Sequence, residues 1–382
     1  MVLQKFDIVI IGAGCAGLQL LQQLSLLENW PDYKVLLIDD GAEKQQSWCF
    51  WSASGHPLQH LVTKTWHQLT FSAASFSTCQ PIQPYAYHYI PGSVFFDYFN
   101  HQFIPQHSNI TVMRARVNHV TKLGGGYLIK AQEMQWWGQT CYSSLAPKES
   151  PKPELWQHFK GWYIEAEQDV LDTDTAILMD YTVQLYNKVH FVYVLPFSGN
   201  KALVEATFFS ERREDEETYD RLITAYLHQA FPYIKFKVTA TEVGCIPMSR
   251  HSFSRYGAAG EVLIGQAAGM VKASTGYTFN RITRDSILLA KHFGEKLPYQ
   301  WPATRGRFRF YDQLLLNIII AKPYIVRDIF TRLFRHATMP QVLRFLNEQT
   351  TLAQEVGIFL HLPWRPFLKQ AVKHIFNRSG TK

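Results

Sequence analysis

The first forty residues carry the pattern that most limits how this chain can fold. An apolar run at residues 6–11 has the length of a buried strand, and a glycine-rich loop follows it directly. Leucines then recur at helical spacing, and a second apolar run at residues 35–38 ends at Asp39. Strand, glycine loop, helix, strand and acid together form the context that a dinucleotide-binding βαβ unit requires.

Each glycine of this loop has a separate predicted role. Gly12 permits the tight turn, Gly14 lets the backbone approach a pyrophosphate, and Gly17 lets the helix pack closely on the strand. The backbone amides at the start of the helix face the phosphate charge, and Ala13 belongs to this amide group. The loop therefore predicts an ADP-binding site.

Two more contacts to the nucleotide are predicted from positions in the chain. Asp39 is expected to accept hydrogen bonds from the adenosine ribose; the adjacent Asp40 competes for this role, and Asp39 is preferred because it directly follows the apolar run. Apolar alternation returns after residue 109, and a strand at 111–117 is expected to lay a backbone amide, assigned to Val117, against the adenine.

A second glycine-rich segment lies late in the chain. A predicted strand at 261–264 runs into small residues that include Gly265 and Gly269, and Gly276 with Tyr277 then opens a helix. Small residues between a strand and a helix allow a flat ligand to come close, and a helix N-terminus stabilises negative charge near a flavin's N1 and C2 carbonyl. Two distant loops of this kind favour FAD, a long cofactor, over NAD.

The predicted fold class is α/β. It combines a Rossmann-type FAD-binding domain, as in glutathione-reductase-like flavoproteins, with an antiparallel β substrate domain and a helical C-terminal region. Four segments are expected: 1–80 for the ADP-binding βαβ unit, 81–250 for further FAD strands and the substrate sheet, 251–295 for a second FAD-contacting segment, and 296–382 for the helical region. Finer predictions are a hairpin turn at 124–126, a surface loop at 145–155, strands at 175–180, 189–195 and 202–209, and a charged helix at 211–229.

Composition narrows the class of protein. The five cysteines are scattered and form no C-x-x-C pair, which argues against both a disulfide framework and a zinc site and favours a reducing cytoplasm. The first six residues are too short and polar for a signal peptide. No nucleic-acid-binding motif is found, so neither nucleic acid nor metal is an expected partner.

The basic excess lies in the C-terminal segment. Residues 301–382 hold 13 Lys and Arg against 4 Asp and Glu, whereas the rest of the chain is nearly neutral. No apolar run there approaches the roughly 18 to 20 residues that span a bilayer. A basic, aromatic-rich helical region is typical of a surface that lies on an anionic membrane, here the inner face. The alternative is a set of helices that caps the core with a solvated basic face.

Motifs more specific than the glycine loop occur along nearly the whole chain. Through them the sequence resembles the lycopene β-cyclase family of flavoproteins. The matching segments are 48–51 (Trp-Cys-Phe-Trp), 156–162 (Trp-Gln-His-Phe-Lys-Gly-Trp), 178–181 (Leu-Met-Asp-Tyr), 195–196 (Leu-Pro), 203–207 (Leu-Val-Glu-Ala-Thr), 246–248 (Ile-Pro-Met) and 273–279 (Ala-Ser-Thr-Gly-Tyr-Thr-Phe).

The resemblance implies isomerisation of lycopene or a related carotenoid without net redox change. A proton added to the terminal double bond makes a tertiary cation, the neighbouring double bond attacks it, and loss of a ring proton leaves a β-ionone ring. Glu205 is the predicted acid or proton relay, and Asp180 is a second candidate. The cofactor would be reduced FAD, charged by an external reductant such as NADPH, and it would stabilise the cation or donate the proton.

Three departures from the family pattern mark a divergent branch. Ala206 stands where relatives carry a second acid, Gln266 stands where flavoproteins commonly carry an aspartate, and residues 142–145 replace an Asp-x-Arg turn. The structural alternatives also stay open: Glu205 as a solvent-facing strand residue and Asp180 as a partner of a backbone amide. The rival functions are an FAD-dependent hydroxylase or isoprenoid reductase, and a non-catalytic carrier.

Overall fold

The computed structural model of the protein describes residues 3–44, 46–147, 152–296 and 306–379. Most of its strands belong to two large sheets. The strands, in chain order, are β1 (Gln4–Ile11), β2 (Val35–Asp39), β3 (Trp48–Ser52), β4 (Lys64–Trp66), β5 (Gln68–Ala73), β6 (Phe76–Pro81), β7 (Ala86–Ile90), β8 (Ile110–Arg114), β9 (His119–Leu123), β10 (Gly126–Ala131), β11 (Met134–Ser143), β12 (Leu155–Ala166), β13 (Thr175–Tyr181), β14 (Val189–Pro196), β15 (Lys201–Ser210), β16 (Phe236–Met248) and β17 (Val262–Leu263).

Three of the helices that follow β15 begin at recognisable caps. Asp215 accepts a hydrogen bond from the backbone N–H of Thr218, and Thr338 and Thr351 each form a capping box. The α-helices are α1 (Cys15–Leu24), α2 (Gly92–Asp97), α3 (Glu216–Ala230), α4 (Phe279–Gly294), α5 (Gly306–Ala321), α6 (Val326–His336), α7 (Met339–Leu346), α8 (Leu352–Phe359) and α9 (Trp364–Ser379). Short turns of 3-10 or π type lie at Trp30–Asp32, Gln59–Leu61, Tyr98–Phe103, Ile104–Gln106, Gly265–Ala268 and Pro323–Ile325.

The first sheet has the strand order β8-β2-β1-β11-β10-β9, with β17 paired to β11. It is parallel from β8 to β11 and at β17, and the hairpin β9 to β11 is antiparallel. Helices α1 and α4 cover one face through a core that includes Ile8, Leu21 and Leu289. Because parallel strands end at one edge, the loops that follow β1, β2 and β17 come together there.

The second sheet has the order β16-β12-β15-β14-β13-β5-β6. All of its strand pairs are antiparallel except one, the parallel pair of β13 with β5. A parallel pair needs a long crossover connection, and the long stretch of chain between β5 and β13 provides it. The three strands expected in the substrate sheet are confirmed as β13, β14 and β15. A three-stranded sheet, β3-β7-β4, completes the β-structure of the described residues.

Several expected boundaries differ from the observed ones. The strand expected at 111–117 ends at Arg114, the strand expected at 261–264 is only Val262–Leu263, and the charged helix begins at Glu216, after its Asp215 cap. Residues 148–151 of the expected surface loop lie outside the described residues. The division into four segments stays a prediction, since β5 and β6 join the second sheet while β9 to β11 join the first.

The two faces of the second sheet meet different helices. Along β15, Leu203 and Phe209 point into a core shared with α5, α6 and α7. Val204 and Ala206 point the other way, into a core formed with α3. This alternation decides which polar side chains of the sheet can act together.

Candidate functional site

The glycine loop after β1 has the geometry expected of a phosphate loop. Gly12 adopts φ +100°, and a Cβ there would collide with the side chain of Ser144. A Cβ on Gly17 would collide with the carbonyl oxygen of Gly12, whereas a Cβ on Gly14 would meet no atom within 4 Å. Two of the glycines are therefore required by the protein's own packing, and the third lies beside open space.

Asp39 fastens this loop to the end of β2. Its Oδ2 accepts a hydrogen bond from the N–H of Ala13 at 2.7 Å, and its Oδ1 accepts from the N–H of Gly41 at 2.9 Å and from Lys44 Nζ at 2.7 Å. Burial would raise the pKa of Asp39, but these hydrogen bonds outweigh it and lower the pKa. Asp40 is exposed and accepts a hydrogen bond from the nearby N–H of Ala42 at 3.0 Å. The ribose contact of Asp39 and the adenine contact of Val117, which is buried beyond the end of β8, stay predictions.

The second glycine segment lies against the first. Because β17 pairs with β11, the 3-10 turn Gly265–Ala268 follows the same edge of the sheet as the loop after β1. Gly265 adopts φ +60°, and a Cβ on it would lie 2.8 Å from the Cβ of Ala16 at the start of α1. Gly269 closes the turn in the left-handed region at φ +72°. Gln266, which replaces the common aspartate, is exposed.

The loop from Lys272 to Thr278 carries this segment across to the second sheet. Lys272 is 2% exposed, and its Nζ binds Asp312 at 2.9 Å and Glu348 at 3.3 Å. Gly276 adopts φ +70° and packs against Gln157 of β12, and the ring of Tyr277 meets that of Trp51 edge-on at 4.8 Å between centroids. The sequence analysis missed Lys272, although a lone lysine among small residues between a strand and a helix was a visible signal.

Glu205 lies on the face of the second sheet that this loop approaches. In β15 it pairs with Gly161 of β12 on one side and with Tyr193 of β14 on the other. Thr207 Oγ1 donates a hydrogen bond to Glu205 Oε1 at 2.6 Å. Burial, and then the charge of Glu242, raise the pKa of Glu205 to about 8, although the bond from Thr207 lowers it. The residue is only partly exposed, so the solvent-facing alternative does not describe it.

Glu242 is a second site residue that the sequence analysis missed. It lies on β16, and it faces Gly161 from the side opposite Glu205. The hydroxyl of Tyr163 donates a hydrogen bond to Glu242 Oε2 at 2.8 Å. Burial raises the pKa of Glu242, while the bond from Tyr163 lowers it. No local signal marks this glutamate, because its nearness to Glu205 depends on the register of three strands.

Aromatic and thiol groups surround this pair of carboxyls. Burial, with a smaller contribution from the charge of Glu205, raises the pKa of Cys49 and of Tyr277, so both are neutral at pH 7. Beside them lies a cavity whose lining comes from β3, the start of α4 and the end of α7. The lining residues are Cys49, Phe50, Trp51, Lys272, Tyr277, Thr278, Phe279, Asn280, Arg281, Leu346 and Asn347.

Asp180 lies on the opposite face of the second sheet from Glu205. Its partner on β14 is Val192, which belongs to the core formed with α3. Asp180 Oδ1 accepts hydrogen bonds from the N–H of Thr182 at 2.8 Å and from its hydroxyl at 2.6 Å, and Tyr226 of α3 is a further partner. The structure therefore does not bring the two predicted carboxyls together, and the alternative of a backbone partner describes Asp180.

Ala206 also lies on the α3 face. It is fully buried between Lys160 of β12 and Val192 of β14. An acid at this position would therefore point away from Glu205, because neighbouring residues of a strand alternate between faces. In the described parts of the chain, no group of three or more His, Cys, Asp or Glu side chains is arranged to hold a metal ion.

Comparison with known proteins identifies the family. The sequence pattern of the family described as "Lycopene cyclase protein" matches residues 7–372. The chain belongs to the lycopene cyclase family. A lycopene beta-cyclase from Pseudescherichia vulneris is 24% identical over 284 residues, which cover 71% of this chain and 70% of that protein. Membership of the lycopene cyclase family indicates an enzyme of carotenoid cyclisation.

Solved structures show that this cyclase-family chain has a flavoprotein fold. A geranylgeranyl bacteriochlorophyll reductase-like protein from Thermoplasma acidophilum superposes with a TM-score of 0.60 at 11% identity, covering 96% of this chain and 99% of the other. A flavoprotein/dehydrogenase from Cytophaga hutchinsonii has a TM-score of 0.60 at 12% identity, covering 99% and 100%. A halogenase in complex with phloroglucinol and FAD has a TM-score of 0.55 at 12% identity, covering 90% and 82%. The predicted fold class is confirmed.

The first loop gives a paired prediction. Gly17→Ala should lower the unfolding temperature of the cofactor-free protein, because its Cβ collides with the backbone of Gly12. Gly14→Ala should leave that temperature unchanged, since its Cβ meets only open space, yet it should weaken binding of added FAD by tenfold or more because the space is the one a pyrophosphate needs. Thermal unfolding and fluorescence titration measure the two effects. Unimpaired FAD binding by Gly14→Ala would place the pyrophosphate elsewhere.

Proposed function

We propose that this protein is a lycopene β-cyclase. It would convert the linear ends of lycopene into β-ionone rings, toward γ-carotene and β-carotene, as an intramolecular lyase or isomerase without net redox change. The observation that carries the proposal is Glu205, a carboxyl with a pKa of about 8 on a sheet face crowded with aromatic side chains. Membership of the family and the lycopene beta-cyclase relative support the same reaction.

The cofactor that fits the two loops is FAD. Gly14 leaves room for a pyrophosphate, and the Gly265 turn lies against the start of α1. Two buried oxygens near the Gly276 turn, Gln157 Oε1 and Thr275 Oγ1, have no hydrogen-bond partner among the described residues and are suited to a polar ligand. The FAD-bound halogenase with the same fold is consistent with this choice. NADPH would be the external reductant. Reduced FAD would supply an electron-rich surface that stabilises the cation, or it would supply the proton itself.

The chain's own residues would perform the acid chemistry. Glu205, neutral at pH 7, would donate a proton to the terminal double bond of the linear end group. The rings of Tyr193, Tyr277 and Trp51 offer π faces that stabilise a carbocation. Their bulk would also keep water from capturing that cation.

Turnover without consumption of reductant tests the function directly. Purified protein with dithionite-reduced FAD, lycopene and no oxygen should form many rings per flavin, because the proposed reaction conserves oxidation state. Chromatography with mass spectrometry should give a product of the same mass as lycopene. A product two hydrogens heavier, or one reductant used per turnover, would instead identify a reductase, and an added oxygen would identify a hydroxylase.

Loss of the Glu205 proton should stop cyclisation. Glu205→Gln keeps the shape but removes the carboxyl proton, so FAD binding should survive while ring formation falls by about a hundredfold or more. The wild-type rate should fall as the pH rises through 8, because the acid must be protonated. A matched control, Glu165→Gln at the half-exposed end of β12, should keep the wild-type rate. Rapid cyclisation by Glu205→Gln would move the proton source to the flavin.

Membrane contact is proposed through the C-terminal helices, on the cytoplasmic side. Within the described ranges, no helix is long and apolar enough to cross a membrane. Yet α9 exposes Trp364 by 63% and Leu368 by 54%, with the basic side chains of Arg365 and Lys369 beside them. Four more apolar side chains are exposed in α8, in α9 and in the turn between these helices. Together with Trp364 and Leu368 they recur at every fourth position: Leu352, Val356, Leu360 and Val372. An apolar row beside a basic row is typical of a helix that lies on anionic lipid.

Vesicle binding tests this surface. Binding should be stronger to anionic than to neutral vesicles and should weaken with salt. Lys369→Gln should reduce affinity for anionic vesicles about fivefold, from the roughly 1 kcal/mol that one surface lysine contributes, and Leu368→Ser should reduce binding to both vesicle types. Leu26→Ser, at a residue 74% exposed in the turn after α1, should change neither. Equal binding to both vesicle types at every salt concentration would contradict the electrostatic part.

A further inference from the structure

Two carboxyls lie on the face of the second sheet that meets an aromatic cluster, the rings of Tyr193, Tyr277 and Trp51. Glu205 and Glu242 are on strands separated by β12, and both are opposite Gly161. Since Gly161 has no side chain, nothing on β12 stands between them. A Cβ there would lie 2.7 Å from Cδ1 of Leu203 and 3.2 Å from Cγ of Glu242, so the side chains of Leu203 and Glu242 both lie over the glycine.

A chain of hydroxyl groups ends on Glu242. The Tyr163 hydroxyl donates to Glu242 Oε2 at 2.8 Å, and it is 2.9 Å from the hydroxyl of Tyr89. The Tyr89 hydroxyl is in turn 3.1 Å from Ser47 Oγ, just before β3. Phe197 stacks on Tyr163 at 6.2 Å between centroids, and it packs on Tyr89 at 5.1 Å. Glu242 is therefore held in one orientation by a fixed donor.

The proposed cyclisation moves two protons at different carbons. One proton joins the terminal double bond, and another leaves a carbon of the newly closed ring. A single carboxyl fixed on one strand serves the first of these positions. A second carboxyl on the same face but on another strand is placed to serve the other, because a proton is transferred only over hydrogen-bonding distance.

We propose, on the basis of the cyclase function above, that Glu242 is the catalytic base that removes the ring proton. The O–H bond of Glu205 breaks as a C–H bond forms on the substrate, which leaves a carboxylate and a carbocation. The ring C–C bond then forms, a ring C–H bond breaks, and its proton goes to the carboxylate of Glu242. Exchange with water then takes the proton from Glu242 and returns one to Glu205, so neither protons nor electrons are consumed overall.

The electrostatics of the face agree with this division of roles. Two neighbouring buried carboxyls resist ionising together, so one of them keeps its proton. The charge of Glu242 helps to raise the pKa of Glu205, and the hydrogen bond from Tyr163 favours the ionised form of Glu242. Ala206 lies on the other face, so the second carboxyl of this site comes from β16.

The position of the ring double bond distinguishes a base from a merely structural residue. In Glu242→Gln, β-ring formation should fall by about a hundredfold. The rings that still form should include a larger share with a displaced double bond, because the cation then loses a proton from another carbon. Glu205→Gln should lower ring formation without changing this share, and Glu165→Gln should change neither. FAD titration of each variant checks that the cofactor site is intact.

A second variant decides the matter if Glu242→Gln does not fold. Tyr163→Phe removes only the hydroxyl that orients Glu242, and it should both slow β-ring formation and raise the displaced share. Wild-type rate and product pattern in whichever of the two variants folds would overturn the role of Glu242. So would a slower rate with an unchanged product pattern. If the wild-type protein itself forms no rings, the proposed function fails instead, which is a different result.

Discussion

The alternation of side chains in the second sheet is the constraint on which the rest of the site depends. A strand sends neighbouring residues to opposite faces, so Glu205 meets the aromatic cluster while Ala206 meets α3. The same rule places Asp180 with Tyr226, away from the face that carries Glu205. Gly161 has no side chain in the middle strand, so the side chains of Leu203 and Glu242 lie over it, and the carboxyls of Glu205 and Glu242 share one face of the sheet.

The two glycine-rich loops depend on a different kind of interaction, in which charged side chains hold the loop backbone in place. Asp39 holds the first loop through the N–H of Ala13, and Lys272 holds the second through a buried ion pair with Asp312 of α5. Such a buried pair is costly to break, because either partner alone would be an unpaired charge in the interior. The helical C-terminal region thus positions the loop that reaches the second sheet.

Much of the first sheet could be predicted from the sequence, because its signals are local. The glycine loop, the acid after β2 and the helix after Gly276 are each readable within a few residues. The strands β13, β14 and β15 of the second sheet were also readable from apolar patterning. Strand partners were not, which is why Glu242 was missed and Asp180 was grouped with Glu205: pairing and register follow from long-range packing, and no local pattern encodes them.

The sequence by itself determined the class of protein: a βαβ nucleotide loop, a second glycine turn and aromatic motifs that resemble one family of cyclases. These features are short, and their chemistry follows from residue type and spacing. Only the tertiary structure decided which acids share a face, since Glu205 and Glu242 both pair with Gly161 through the register of three strands. It also decided that the pKa of Glu205 is raised, because burial and the charge of Glu242 arise only when distant segments pack.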